Sequence, residues 1–172
     1  MFGKLHIVFV FIAAFSATGV FSQKTEKVKP PPETASLAET QQWLTTGLAK
    51  YASYKTRTSS VATSNVKFDG CTLTLSQSRK SGTVSMATMG ATRTTSTLKD
   101  DVSLNLAHLG PNSITIADHV YPELATLEIR IADPAIKEAG DTRLVELVVE
   151  HEASDAIKAA LLQANRFCVV KN

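Results

Sequence analysis

Residues 144–168 read LVELVVEHEASDAIKAALLQANRFC, and the apolar pattern changes its period within this stretch. Residues 144–149 form a short apolar run, which is typical of a strand. From about Ser154 onward, apolar residues recur at helical spacing on one stripe, formed by Ile157, Ala160, Leu161, Ala164 and Cys168. The stretch therefore predicts a strand followed by an amphipathic helix whose stripe faces the core.

Strand-like alternation continues upstream of this stretch. Apolar and polar residues alternate in residues 102–106, 114–116 and 127–131, so each segment is expected to bury one face. Nearer the N-terminus, Asp69-Gly70 separates two alternating runs and favours a hairpin turn over a β-bulge. Residues 79–82 predict a second turn, and the Thr-rich residues 83–98 predict an exposed strand.

A helix is predicted before the strands. Ser36 and Glu39 have the spacing of a capping box, in which each side chain accepts from the other residue's backbone amide. The apolar stripe that follows consists of Leu37, Leu44, Leu48 and Tyr51. A helix, a run of strands without helices between them, and a final helix are typical of an α+β protein. We expect an N-terminal helix, an antiparallel sheet or partly open barrel of about seven strands, and a C-terminal capping helix.

Residues 1–22 have the layout of a secretory signal peptide, because Lys4 precedes an apolar stretch that ends at Ser22. Residues 23–35 are charged and contain three consecutive prolines, which predicts a flexible linker, and residues 36–172 are expected to form a single globular domain. Cleavage after Ser22 leaves no stable membrane span, so we expect a periplasmic or secreted protein. The alternative is an uncleaved segment that anchors the chain in the inner membrane.

The net charge of +2 is small, and acidic and basic residues are interspersed along the chain. This balance argues against nucleic acid as a partner and gives little attraction to an anionic membrane surface. The expected partner is an unknown protein or a component of the cell envelope.

The two cysteines, Cys71 and Cys168, both lie on the inward faces of their predicted elements. In an oxidising compartment, an isolated pair of this kind predicts one disulfide. Two buried free thiols are the alternative. A disulfide would hold the final helix across an early strand.

Seven strands capped by a C-terminal helix also match the outline of the pleckstrin-homology-like barrel, in which the helix closes one open end. Three segments resemble uncharacterised exported bacterial proteins, namely residues 68–73 (FDGCTL), residues 106–113 (LAHLGPNS) and the final helix that ends near a cysteine. The resemblance covers about residues 37–168, although His108 and Gly110 stand where it leads us to expect acidic residues. It implies this fold and a disulfide, but no activity and no site residues.

Three histidines remain after signal removal: His108, His119 and His151. Carboxylates adjoin two of them, but adjacent strand residues point to opposite faces and no metal-ligand spacing is present. We therefore expect no metal, no cofactor and no catalytic role there. Ser64 and Lys67 have the spacing of a Ser-x-x-Lys motif, yet residues i and i+3 of a strand face opposite ways.

Two surface segments are candidates for binding. Arg79 and Lys80, with Lys67 and Arg93, have the residue types of a basic loop that binds phosphorylated lipid headgroups, and an ordinary solvated turn is the alternative. The Thr-rich residues 83–97 carry few charges, and as an edge strand they could pair with a strand of a partner. The predicted function is an exported, non-catalytic structural or binding module. The alternative is a small secreted or periplasmic hydrolase that uses a histidine and a carboxylate.

Overall fold

The residues that the structure describes form an α+β fold with two helices and two antiparallel sheets. A computed structural model describes residues 27–55, 59–87, 90–132 and 142–169. The predicted signal peptide, residues 1–22, lies outside the described residues. Residues 23–26 of the predicted linker do so as well, and the predicted domain boundaries stay predictions.

The helices and strands are α1 (Leu37–Tyr51), β1 (Tyr54–Lys55), β2 (Ser59–Asp69), β3 (Thr72–Ala87), β4 (Gly90–Asn105), β5 (Ile114–Asp118), β6 (Leu124–Ala132), β7 (Thr142–Glu150) and α2 (His151–Cys168). A short 3-10 turn, Leu106–His108, follows β4. Strands β1, β2, β3 and β4 form sheet A in that order, and β5, β6 and β7 form sheet B. The strands therefore make a four-stranded and a three-stranded sheet and do not close into a barrel.

Helix α1 begins with the predicted capping box. The Ser36 amide donates to the Glu39 carboxylate at 2.7 Å, and the Glu39 amide donates to Ser36 Oγ at 3.3 Å. Leu44 and Leu48 of the predicted stripe are fully buried. The first helix is therefore fixed by its cap at one end and by its apolar face along its length.

The turn predicted at Asp69-Gly70 is confirmed. β2 ends at Asp69 and β3 begins at Thr72, with Gly70 between them at a φ of +53°. Glycine adopts this left-handed conformation without the steric penalty of a Cβ atom, so it allows the tight reversal.

The second predicted turn, at residues 79–82, is wrong. β3 runs through these residues to Ala87, and its pairing with β4 is unbroken from Thr72 opposite Asn105 to Ala87 opposite Gly90. Backbone pairing on the ladder overrides the local turn propensity of an Arg-Lys-Ser-Gly sequence. As a result, residues 83–98 are divided between β3 and β4 instead of forming one strand.

Helix α2 covers the core with the predicted stripe. Ile157, Ala160, Leu161 and Ala164 are all fully buried, and the helix packs against α1 and sheet B. It begins at His151, earlier in the sequence than the predicted start near Ser154. The core therefore lies between the inward faces of the sheets and the two helices.

The predicted disulfide between Cys71 and Cys168 is confirmed, with a Cα–Cα distance of 5.7 Å. Two hydrogen bonds reinforce the same junction: Asn165 Nδ2 donates to the Leu106 carbonyl at 2.6 Å, and the Leu106 amide donates to the Cys71 carbonyl at 2.9 Å. The end of α2 is thus held at the start of β3 and the end of β4.

Residues 27–35, the second part of the predicted linker, contact α2. Gln163 Nε2 donates to the Pro32 carbonyl at 2.8 Å, and Pro31 and Ala35 are buried. Lys27 pairs with Asp155 at 2.9 Å on the exposed side of the helix. This part of the chain therefore packs along the final helix.

Candidate functional site

Strand β4 is the outer strand of sheet A, and this position makes it the first candidate for binding. It pairs with β3 along sixteen residues, and within the described part of the chain no strand pairs with its other side. An unpaired edge presents a row of free backbone amides and carbonyls to a partner. The edge of β4 is thus a long backbone surface without a strand partner among the described residues.

The pairing of β3 with β4 determines which backbone groups lie on this edge. The Leu106 amide donates to the carbonyl of Cys71, directly across the continuation of the ladder. Hydrogen-bonded and non-bonded pairs alternate in an antiparallel ladder, and the register has no shift from Asn105 to Gly90. The amide and carbonyl groups that point away from β3 therefore include those of Thr97, Lys99, Asp101, Ser103 and Asn105.

The edge of β7 is built in the same way. The His151 amide donates to the Glu123 carbonyl at 2.8 Å, which extends the β6–β7 ladder by one pair. The same alternation leaves the backbone groups of Glu146 on the outer edge of sheet B. There the Glu146 carbonyl accepts from Arg79 Nη2 at 3.4 Å, so a side chain of sheet A covers part of this edge.

A cleft of about 440 Å³ lies between sheet A and the edge of β7. Residues of β3 and β4 line one side and residues of β7 line the other: Arg79, Lys99, Asp100, Asp101, Val102, Arg143, Leu144, Val145 and Glu146. Three of these residues are cationic and three are anionic. We call this region the edge cleft.

Arg79 lines the edge cleft and is hydrogen-bonded to a buried polar network. Thr63 Oγ1 donates to the Ala52 carbonyl at 2.5 Å, and Gln77 Nε2 donates to Thr63 Oγ1 at 3.2 Å. The side-chain oxygen of Gln77, Oε1, accepts from Arg79 Nη2 at 3.4 Å. Gln77 is only 1% exposed, so its amide is held in place and orients the guanidinium.

The electrostatic contacts of Arg79 are long. Arg79 Nε lies 3.9 Å from the Asp100 carboxylate, and this buried nitrogen has no hydrogen-bond partner within the described residues. The prediction that placed Arg79 and Lys80 in a solvated turn is wrong, because both lie inside β3 and Arg79 is half-buried. The guanidinium therefore lies at the mouth of the cleft with N–H groups that can still donate hydrogen bonds.

The sequence analysis did not identify Gln77 and Thr63 as members of this hydrogen-bond network. The position of Gln77 in the sequence could have indicated its role. It follows Leu73 and Leu75 at the next inward position of β3, where a polar residue must be hydrogen-bonded. The partner on β2 could not be identified before the register between the two strands was known.

The three predicted histidines do not form one site. His119 stacks on Tyr121 with ring centroids 5.6 Å apart and meets the edge of Tyr54 at 6.3 Å, while its Nδ1 accepts from the Tyr121 amide at 3.2 Å. His108 lies in the 3-10 turn and His151 lies at the start of α2. Within the described residues, no hydrogen bond joins a histidine side chain to a hydroxyl or a carboxylate.

His151 lines a separate groove of about 520 Å³ with Tyr54 and the carboxylates of Glu123, Glu150 and Glu152. Burial raises the pKa of Tyr54, and the positive charge of Arg79 partly opposes this shift. The described residues contain no group of three or more side chains able to bind a metal ion.

Ser64 and Lys67 differ from their predicted arrangement. A β-bulge between them shifts the register, so Ser64 lies opposite Ser76 and Lys67 lies opposite Thr74. Both side chains are consequently exposed on the outer face of sheet A, and not on opposite faces as predicted. No hydrogen bond connects them in the structure's described part.

The side chains of Met86, Met89 and Arg93 lie outside the described residues.

The fold and the cleft together define a disulfide-bonded α+β structure with a long sheet edge to which no described strand is paired. Searches of protein-family models, of curated proteins and of solved structures find no match to this chain. Among the described residues, neither helix combines the length and apolar character needed to cross a membrane. The function of this chain must therefore be inferred from its own geometry.

Proposed function

We propose that this chain is an exported, non-catalytic binding module that adds an extended segment of a partner protein to sheet A along the edge of β4. The observation that carries the proposal is the unbroken register of β4, which leaves the backbone groups of Thr97, Lys99, Asp101 and Ser103 turned away from β3. Strand addition satisfies such groups with the main chain of the partner.

The edge lacks most of the features that usually protect an edge strand. Proteins prevent unwanted pairing with short edge strands, prolines, bulges or a covering element. β4 is sixteen residues long, contains no proline and has no bulge against β3. Lys99 and Asp101 are charged and tend to discourage unspecific pairing, so a partner strand must complement them.

The edge cleft supplies specificity to this proposal. It places Arg79, Lys99 and Arg143 near Asp100, Asp101 and Glu146, so both signs of charge meet an incoming strand. Charge complementarity of this kind selects partners more than it strengthens binding. The segment that fits is polar and extended, and main-chain hydrogen bonds provide most of its affinity.

The broader assignments belong to the same proposal. Four strands followed by three strands and a C-terminal helix support an open pleckstrin-homology-like architecture, and the likeness to exported bacterial proteins stays part of the proposal. The disulfide supports residence in an oxidising compartment, which means the periplasm or the extracellular space.

The test separates the backbone of Lys99 from its side chain. The full chain, its Lys99→Ala variant and its Lys99→Pro variant each carry an affinity tag and capture partners from an envelope extract of the source cells. Lys99→Ala should keep capture near the wild-type level. Lys99→Pro removes the outward amide and should reduce capture at least about tenfold, which corresponds to 1.4 kcal/mol. Quantitative mass spectrometry of the captured polypeptides provides the measurement.

Both variants should fold, because the Lys99 amide points away from the β3–β4 ladder and proline is tolerated on edge strands. Thermal unfolding followed by circular dichroism checks this. Equal capture by all three proteins, or equal loss in the two variants, would show that β4 does not bind through its backbone.

A further inference from the structure

Leu98 is the large apolar residue that β4 leaves in water. It is 59% exposed, whereas Leu104 on the same strand is fully buried. Ser96, Thr97 and Lys99 beside it are exposed polar residues. An apolar side chain in the middle of a free edge is most stable when a second apolar side chain covers it.

We propose that the partner segment is β4 of a second copy of this chain, paired antiparallel so that the two Leu98 residues face each other on a two-fold axis. This inference rests on the proposed strand addition along β4. Two identical edges related by a two-fold axis form an isologous interface, which is the commonest way for a protein to form a dimer. The two copies of sheet A would then form one continuous sheet.

The charges on β4 select this register over its neighbours. A two-fold axis at Lys99 places two lysines opposite each other, and an axis at Asp100 or Asp101 places two aspartates opposite each other. Like charges directly opposite are destabilising on a sheet. An axis at Leu98 avoids this, because Lys99 then faces Thr97.

The leucine contact separates this register from the remaining one nearby. An axis at Thr97 also avoids like charges, but it places Leu98 opposite Ser96 and leaves both leucines partly in water. An axis at Leu98 makes the leucines a non-hydrogen-bonded pair, because the Leu98 backbone groups are used by β3. The side chains of such a pair approach most closely.

The edge cleft is compatible with this arrangement. In the Leu98 register, positions 94 and 95 of one copy lie opposite Val102 and Asp101 of the other, at the cleft. Positions 94 and 95 of each copy would therefore lie beside the cleft of the other copy. The backbone amides of Thr97, Lys99 and Asp101 would obtain hydrogen-bond partners in both copies.

A cysteine scan tests the register directly. Thr97, Leu98, Lys99, Asp100 and Asp101 are changed to cysteine one at a time in the full chain, whose own two cysteines are already paired. Leu98→Cys should give a covalent dimer under mild oxidation at least about tenfold faster than the other four, because facing Cα atoms in a non-bonded pair are about 4.5 Å apart. Disulfides need Cα atoms closer than about 7 Å, and the other positions are offset along the strand.

A second measurement keeps the inference testable without cysteines. Light scattering coupled to size exclusion should give a dimer for the wild-type chain and at least about a tenfold weaker dimer for Leu98→Asp, equivalent to 1.4 kcal/mol. Phe167→Asp is the matched control, since Phe167 is a similarly exposed apolar residue on α2. It should leave the dimer unchanged.

The outcomes separate this inference from the proposed function. Fastest cross-linking at any position other than 98 would overturn the Leu98 register. A monomer that forms no cross-link would overturn the dimer. If Lys99→Pro still loses capture while Lys99→Ala keeps it, strand addition stands with a different chain as partner. If that difference is absent too, both proposals fail.

Discussion

The base of the β3–β4 hairpin carries Leu73, Leu75 and Leu104, which are at most 2% exposed in the core, whereas Leu98, midway along β4, is 59% exposed. One unbroken ladder joins these two regions. Backbone pairing therefore continues unchanged from the base to the middle of the hairpin, while the disulfide lies at the base and Leu98 remains in water. The comparison teaches that backbone pairing alone does not decide which leucines of this hairpin are buried, because the core and the disulfide lie at its base.

The largest expected effect comes from removing the disulfide at the base. The bond closes a loop with a sequence separation of 97. In the chain-entropy model a loop of this length contributes about 4 to 5 kcal/mol. The double variant Cys71→Ala with Cys168→Ala should lose about that much free energy of unfolding in urea titrations. A reducing agent should destabilise the wild-type chain by a similar amount and leave the double variant unaffected.

Two leucines on one strand give the next test. Leu104→Ala should cost about 2 to 5 kcal/mol of unfolding free energy, because it leaves a cavity in the core. Leu98→Ala should cost less than about 0.5 kcal/mol when the protein is dilute enough to be monomeric, because the side chain is already in water. Urea titrations of both variants measure the difference. Equal losses of unfolding free energy in the two variants would mean that Leu98 and Leu104 contribute equally to stability, contrary to this comparison.

Local patterns were sufficient for the base and not for the rest of the hairpin. The capping box at Ser36, the turn at Gly70 and the stripe ending at Cys168 each depend on short-range chemistry, and each was predicted. The disulfide followed from two inward-facing cysteines. These features share a strong signal within a few residues of sequence.

The remaining features depend on contacts between distant segments. The end of β3 at Ala87 and the start of β4 at Gly90 lie in a Ser- and Thr-rich stretch without a clear turn motif, whereas Arg79-Lys80-Ser81-Gly82 has turn residues and predicts the turn in the wrong place. The division into two sheets and the register shift at Ser64 are decided by strand pairing. The placement of Arg79 depends on Gln77, whose partner lies on β2. A sequence pattern does not specify which strands become neighbours.

The polar network lies between the two regions of the hairpin and gives a smaller effect. Thr63→Val removes the hydroxyl that donates to the Ala52 carbonyl and accepts from Gln77, so a buried amide loses its partner. The variant should lose about 1 to 3 kcal/mol of unfolding free energy. Thr74→Val is the matched control on the exposed face of β3, and it should change stability by less than about 0.5 kcal/mol. If Thr63→Val loses no more unfolding free energy than Thr74→Val, the polar network does not contribute to stability.

The smallest effect concerns pH and the helix that packs on the base. Hydrogen bonds from the Ser36 amide and hydroxyl lower the pKa of Glu39 below its ordinary value of 4.5. A carboxylate whose pKa is lowered in the folded state stabilises the fold fully above its unfolded pKa, and it loses this contribution as the pH falls through the folded pKa. Acidification should therefore lower the melting temperature slightly, and Glu39→Gln should remove that part of the pH dependence.

Melting temperatures of the wild-type chain and of Glu39→Gln between about pH 6 and about pH 3 check this prediction. Glu33→Gln is the matched control, because Glu33 is an exposed carboxylate outside the capping box.

The Gln41 side chain also donates to the Gly70 carbonyl at 2.7 Å, so the first turns of α1 are joined to the β2–β3 turn. Acid loosening of α1 should therefore increase amide hydrogen exchange near Gly70 before it does so near Leu98. The reverse order would show that the base does not depend on this helix.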